Sequence, residues 1–241
     1  MPADPVGTAD GGAGRSAPTG RTGGGRVRPR LDASTILEAA LRLAVTDTAE
    51  PLTVRRLGTE LGADPTAIYR HFRDKDELVR AAIDRLIADC VARVDPDAPW
   101  RSRLTQLADA SLDLLCAHPT LGAAAASQTT GGDGELAAVE LIIEAMAEAG
   151  LDQEAVVRFY AVFSSYLLAF CSAQAGTVLA AGSPEDAADQ RWVGGSPALH
   201  RSRYPAIAAV RDQLESLEDP EVYRAGVQVL LDAVAAQASR S

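Results

Sequence analysis

From Leu31 onward, apolar residues recur every three or four positions, and no stretch alternates apolar and polar side chains as a half-buried strand would. A chain patterned this way buries its apolar surface by packing helix on helix, so the expected fold class is all-α. Alanine is abundant and leucine frequent, and both are good helix formers. With 241 residues, 47% of them hydrophobic, the chain can bury a sizeable core. Its length admits one large domain or a small one followed by a larger one.

Residues 1–30 depart from this pattern. They are rich in Gly, Pro, Ser, Thr and Arg, hold almost no large apolar side chains, and cannot bury enough surface to offset the entropy of ordering. They are expected to form a disordered basic tail. The helical pattern then predicts about ten helices: Asp32–Val45, Val54–Leu61, Pro65–Phe72, a fourth from Asp74 to the stop at Asp95-Pro96, then Trp100–Ala117, Pro119–Gln128, Glu135–Ala149, Asp152–Ala180, Ser202–Leu217 and Asp219–Ala238. The expected division is residues 31–80 as a small N-terminal three-helix domain and residues 81–241 as a larger helical domain.

The most informative stretch is Leu61-Gly62-Ala63-Asp64-Pro65-Thr66-Ala67-Ile68-Tyr69-Arg70-His71-Phe72. Gly62 can end one helix with positive φ, Asp64 can cap the next, and Pro65 fits a first helical position that needs no amide donor. Two short helices joined by a turn of about three residues have helix-turn-helix spacing. Ile68 and Phe72 face inward, and Thr66, Ala67, Arg70 and His71 are left outside with Tyr69 at the boundary. Asp74 and Glu77 have the Asp-x-x-Glu form of a capping box at the start of the fourth helix.

Charge is distributed unevenly. The net charge is −10, yet residues 11–30 carry Arg15, Arg21, Arg26, Arg28 and Arg30 and no acid, for +5. Residues 81–241 carry 11 Arg against 22 Asp or Glu, for −11. Only the N-terminal end is suited to meet a polyanion. Cys90, Cys116 and Cys171 are an odd, widely spaced set, which argues against a disulfide framework or zinc site and for a reducing compartment. The N-terminus shows no secretory h-region, and the apolar run from Ala161 to Cys171 is interrupted by Ser164 and Ser165 and too short to span a bilayer, so no membrane partner is expected.

Leu52-Thr53-Val54-Arg55-Arg56-Leu57, Leu61-Gly62-Ala63 and Ile68-Tyr69-Arg70-His71-Phe72-Arg73-Asp74-Lys75-Asp76-Glu77-Leu78 together resemble the N-terminal domain of tetracycline-repressor (TetR) family regulators. The resemblance covers residues 31 to about 85. It implies a cytoplasmic transcriptional regulator, by base rate a repressor, that binds a palindromic operator as a homodimer and is released by a small-molecule effector held in the C-terminal helices. The alternative is an all-α interaction adaptor with a helix-turn-helix-like fold and no specific operator.

By the family's pattern, Thr66 and Ala67 approach base edges or methyl groups behind Pro65, and Tyr69 and His71 bind phosphates. Thr53, Arg55 and Arg56 touch backbone or neighbouring bases. Arg70 is either a guanine reader or a solvated charge. Lys75, the only lysine, opens the fourth helix, where its ammonium and the helix N-terminal amides can meet one phosphate. The chain has no asparagine, so the asparagine–adenine contact is excluded. Asp152–Ala180 and Asp219–Ala238 are the candidate dimer helices. Phe159, Tyr160, Phe163, Tyr166 and Phe170, clustered on one helix in a chain with 5% aromatics, are the candidate ligand-binding residues.

No enzyme is expected. The sequence has no Gly-x-Ser-x-Gly elbow, P-loop, His-Glu-x-x-His or dinucleotide fingerprint, and His71, His118 and His200 are far apart. No cofactor or metal is called for.

Overall fold

In the computed structural model, residues 31–46, 52–182 and 203–240 are described, so the expectations for the basic tail and for residues 183–202 lie outside the described residues. Among the described residues the secondary structure is helical throughout, in eleven helices. They are α1 (Ala33–Thr46), α2 (Val54–Leu61), α3 (Pro65–Ile68), α4 (Lys75–Val91), α5 (Trp100–Ala117), α6 (Pro119–Ala125), α7 (Asp133–Glu148), α8 (Gln153–Ala181), α9 (Pro205–Ala209), α10 (Arg211–Glu215) and α11 (Asp219–Ala238).

Helices α1–α3 pack as a small N-terminal unit around Ile36, Ala40, Leu57 and Ile68, each at most 1% exposed. α4 leaves this unit and packs on both α1 and α7. Its buried Leu78, Ala82, Ile83 and Leu86 join the core of the small unit to that of the larger one, so the apolar core runs unbroken from α1 to α11. A displacement of α4 therefore cannot be absorbed by one unit alone, because close-packed interiors transmit strain.

α8 is the central element of the larger part, in contact with α5, α6, α7 and α11. Phe163, Leu167, Cys171 and Ala175 form its buried side. Its 29 residues span roughly 43 Å at 1.5 Å per residue. The apolar run is thus longer than Ala161–Cys171 suggested: by length and composition alone α8 would suffice to cross a membrane. A helix packed by four others needs the same apolarity.

Helices in this part are tied by side chains that cap a neighbour rather than their own helix. Glu148 at the end of α7 accepts the Trp100 amide at the start of α5 (3.1 Å) and pairs with the mostly buried Arg103. Ser172 on α8 donates to the Gly122 carbonyl (2.8 Å) and accepts the Ala126 amide (3.1 Å), closing the end of α6. Tyr223 on α11 is fully buried, and its hydroxyl donates to the Ala108 carbonyl of α5 (2.9 Å).

Beyond shifts of a few residues at several helix ends, two elements differ from expectation. Ser202–Leu217 is not one helix: α9 and α10 are separated at Val210 (φ −119°, ψ 17°), and neither buries a residue, so no core contact enforces a continuous helix. The third helix is regular only over Pro65–Ile68, and Tyr69, Arg70 and His71 continue as hydrogen-bonded turns. His71 N–H reaches back three residues to the Ile68 carbonyl and Phe72 N–H four, which swings Phe72 into the core (6% exposed).

A helix-turn-helix surface and an internal cavity

The small unit is held by local caps. Thr53 caps α2 by accepting the Arg56 amide (3.2 Å). Gly62 ends α2 with φ 58°, and its amide and that of Ala63 return to Thr59 and Gly58. The turn also needs Gly58: a β-carbon there would stand 2.8 Å from the Ala63 carbonyl oxygen and against the Pro65 ring. Asp64 caps α3, accepting both the amide (2.8 Å) and the hydroxyl (2.6 Å) of Thr66. These bonds from Thr66 hold the Asp64 carboxyl below the usual carboxylate range, so the cap stays charged.

Asp74 caps α4 through the Glu77 amide (2.7 Å). The reciprocal arm of the expected capping box differs. The Glu77 carboxylate accepts the Arg73 amide (2.6 Å) and Arg73 Nε (3.1 Å), one residue earlier than the cap.

The sequence candidates differ in exposure within this frame. Pro65, Thr66, Arg70, His71 and Lys75 are exposed, as is Arg55; Tyr69 is 48% exposed. Thr53, Arg56 and Ala67 are half-buried. Arg55 and Lys75 make no ion pair among the described residues, so their charge is available to a ligand, and Lys75 is the first residue of α4. The Thr66 proton is committed to Asp64, which leaves this side chain an acceptor and a methyl group to present outward.

The second feature is a cavity of about 290 Å³ enclosed by α4, α5, the α6–α7 connection, α7 and α8. Its walls come from regular stripes: Leu107, Ser111 and Leu115 on α5; Glu135, Ala138, Val139 and Ile142 on α7; Tyr160, Ser164 and Leu168 on α8. Ile87 and Cys90 close it from α4, and Ser127, Gln128 and Thr129 from the α6–α7 connection. A broader groove of about 450 Å³ lies between the end of α4 and α7, beside Arg103, Glu140 and Glu144.

Of the five aromatic candidates, only Tyr160 lines the cavity. Phe163 is 1% exposed in the core. Tyr166 and Phe170 lean on Tyr223 of α11, at 5.8 Å and 5.1 Å between ring centres. Phe159 is half-buried against the core. The cavity stripe on α8 is displaced by one residue, about 100° around the helix, from the aromatic one.

Around Glu135 of the cavity wall, sequence reasoning missed a polar cluster. Asp84 of α4 accepts the Gly134 (3.1 Å) and Glu135 (2.9 Å) amides at the start of α7, whose own cap residue, Gly132, has no side chain to offer. It also faces the Thr130 hydroxyl (2.7 Å). Glu135 Oε2 accepts the Thr130 amide (2.6 Å) and Gly131 amide (2.8 Å) and lies 2.8 Å from the same Thr130 hydroxyl. One hydroxyl proton is thus shared between two carboxylates. Burial raises the Glu135 pKa, but the bonds from Gly131 and Thr130 outweigh it and leave the carboxyl below its usual range. Only a residue without a β-carbon fits at 134, where one would collide with the Asp84 carbonyl.

The three cysteines are free thiols, and burial pushes Cys90 and Cys116 up to about 11 and Cys171 up to about 12. None is poised as a nucleophile at neutral pH.

Two family models match the chain. The family described as "Bacterial regulatory proteins, tetR family" matches residues 36–82, and "Tetracyclin repressor-like, C-terminal domain" matches residues 94–238. An HTH-type transcriptional regulator of Saccharopolyspora erythraea is 28% identical over 149 residues, 62% of this chain and 63% of that protein, so the match takes in less than two thirds of its length. The HTH-type transcriptional repressor DrrR1 of Streptomyces coeruleorubidus is 25% identical over 219 residues, covering 89% of this chain and 81% of that one. Among solved structures, a TetR regulator from Streptomyces coelicolor matches with a TM-score of 0.68 at 25% identity, over 86% of this chain and 99% of that one.

Proposed function

The chain belongs to the tetR family of bacterial regulatory proteins, and from that premise we propose that it is a ligand-responsive transcriptional repressor that binds a palindromic operator as a homodimer in the cytoplasm. The observation that carries this reading is the capped helix-turn-helix, Thr53 to Lys75, in which Arg55, Thr66, Tyr69, Arg70, His71 and Lys75 are exposed.

In this reading α3 enters the major groove. Thr66 and Ala67 meet base edges, with Thr66 as acceptor and methyl contact. Arg70 reaches a guanine or its phosphate, and Tyr69, His71, Arg55 and Lys75 hold phosphates. Arg56 and Thr53 support the second helix at the backbone. Two copies supply the affinity that one short helix lacks. The outward sides of α8 and α11, with exposed Val162 (47%) and Val229 (67%) among alanines, suit helix-on-helix pairing of two subunits.

The cavity is the site proposed for the effector. Its wall includes Ile87 and Cys90 of α4, the helix that carries the recognition unit. An occupant with different affinity for two α4 positions would change the spacing of the two recognition helices and release the operator. The test is a gel shift on the region upstream of the protein's own gene. A band that survives excess competitor DNA and vanishes with Arg70→Ala supports the reading. Binding no stronger than to competitor refutes it in favour of an adaptor without an operator.

A further inference from the structure

The cavity mixes apolar and polar lining groups, and its charge is one-sided. Among the described residues, no Arg, Lys or His lines it. Its one ionisable acid is Glu135, whose Oε2 is fully engaged while Oε1 makes no hydrogen bond among the described residues. The α7 N-terminus, which would otherwise attract an anion, is already occupied by the Asp84 carboxylate. Ser164 Oγ is buried and has no hydrogen-bond partner among the described residues. The apolar part of the wall is Ile87, Leu107, Leu115, Val139, Ile142 and Leu168, and Ser111, Ser127, Gln128, Thr129 and Tyr160 add neutral hydrogen-bonding groups. A carboxylate placed beside Glu135 would face a like charge, with the Asp84 carboxylate behind it, and meet no cation among the described lining residues.

We propose that this cavity selects an apolar, roughly two-ring molecule that is uncharged or cationic and carries a hydrogen-bond donor, that it rejects carboxylates, and that Glu135 sets this preference. The inference rests on the reading of the cavity as the effector site. Its size, about 290 Å³, is at the low end of the roughly 300–1,000 Å³ typical of small-molecule sites. The donor meets Glu135 Oε1, and a second polar group on the ligand can satisfy Ser164. The same carboxylate holds Thr130 through Oε2, and the Thr130 hydroxyl is shared with Asp84 on α4, so a donor at Oε1 acts on the cluster that joins α4 to α7.

The test is calorimetric titration of the full chain at neutral pH with three probes on one skeleton: naphthylmethanol, naphthylmethylammonium and naphthoate. The alcohol and the ammonium are expected to bind, and naphthoate to bind at least about tenfold more weakly than the alcohol. Glu135→Gln is expected to weaken the ammonium and narrow the gap between alcohol and naphthoate. Two cavity-filling variants, Ala138→Phe and Ser164→Leu, locate whatever binds. If naphthoate equals the alcohol and both are lost in a folded filled variant, the charge preference is overturned while the cavity reading stands. If Glu135→Gln leaves the ratios unchanged, the role of Glu135 is overturned. If no probe binds, or binding persists in both folded filled variants, the cavity reading falls and the proposal with it.

Discussion

Replacing Asp84 by alanine tests how α4 is fastened to α7. The substitution removes the acceptor for two helix N-terminal amides and a partner of the Thr130 hydroxyl. Loss of a helix N-cap costs about 0.5–2 kcal/mol, and a hydrogen bond to a charged group is worth about 1.5–3 kcal/mol. Two effects reduce the sum. Asp84 is half-buried, so water can replace part of what is lost, and its charge opposes that of Glu135. A net loss of about 2 kcal/mol is expected, which lowers Tm by about 4–8 °C for a chain of this size. The assay is thermal unfolding by far-UV circular dichroism, paired with amide exchange at Gly134 and Glu135. Exchange at these two amides should accelerate more than at α11. Asp84→Asn, which keeps one acceptor oxygen and turns the other into a donor, should fall between wild type and alanine. A Tm within about 1 °C of wild type, with exchange at 134 and 135 unchanged, would refute the reasoning that the α4 carboxylate caps α7.

Two further outcomes follow from the same geometry. Glu135 has a carboxyl held below its ordinary 4.5, so its contribution to stability is fully present above that value and is lost as pH falls through the lowered one. Glu135→Gln should therefore show a smaller drop in Tm than wild type on acidification from pH ~5.5 to ~3.5; an identical pH profile would show that the carboxylate is not held by the Thr130–Gly131 segment. Gly58→Ala places a methyl 2.8 Å from the Ala63 carbonyl oxygen, a backbone atom that can move only with the turn. It should cost about 1–3 kcal/mol in the helix-turn-helix and weaken DNA binding while the ligand cavity keeps its affinity for a probe; unchanged DNA binding and Tm would contradict the packing of the turn.

What the sequence disclosed and what it concealed divide by range. Asp64, Pro65, Gly62 and Asp74 act within a few residues of themselves, so their residue types and spacing already specified the caps of α2, α3 and α4. Trp100–Ala117 and Asp219–Ala238 also appear with the expected bounds; Pro99 and Pro119 flank the first, and Pro220 marks the start of the second. The end of the recognition helix did not, since Phe72 is drawn into the core at the expense of regular α-geometry. The cavity was less legible still. Asp84 meets Glu135 across 51 residues of sequence, and only the packing of α4 on α7 joins them. The aromatic stripe of α8 drew attention to Phe159, Phe163, Tyr166 and Phe170, but large rings are what a close-packed core consumes first. The next stripe, Tyr160, Ser164 and Leu168, carries the cavity. A mid-helix serine there was the visible signal, since it is polar and interrupts the most apolar run in the chain.

The central claim is that Thr53–Lys75 docks on DNA with Lys75 at a phosphate. The direct measurement is fluorescence anisotropy of the upstream operator duplex as a function of salt, for wild type and Lys75→Ala. Each phosphate contact contributes about 0.9 to the slope of log K against log salt, so a dimer losing two should show a slope shallower by about 1.8 and weaker binding to all sequences. An unchanged affinity and slope for Lys75→Ala would contradict the docking, and with it the placement of the recognition helix.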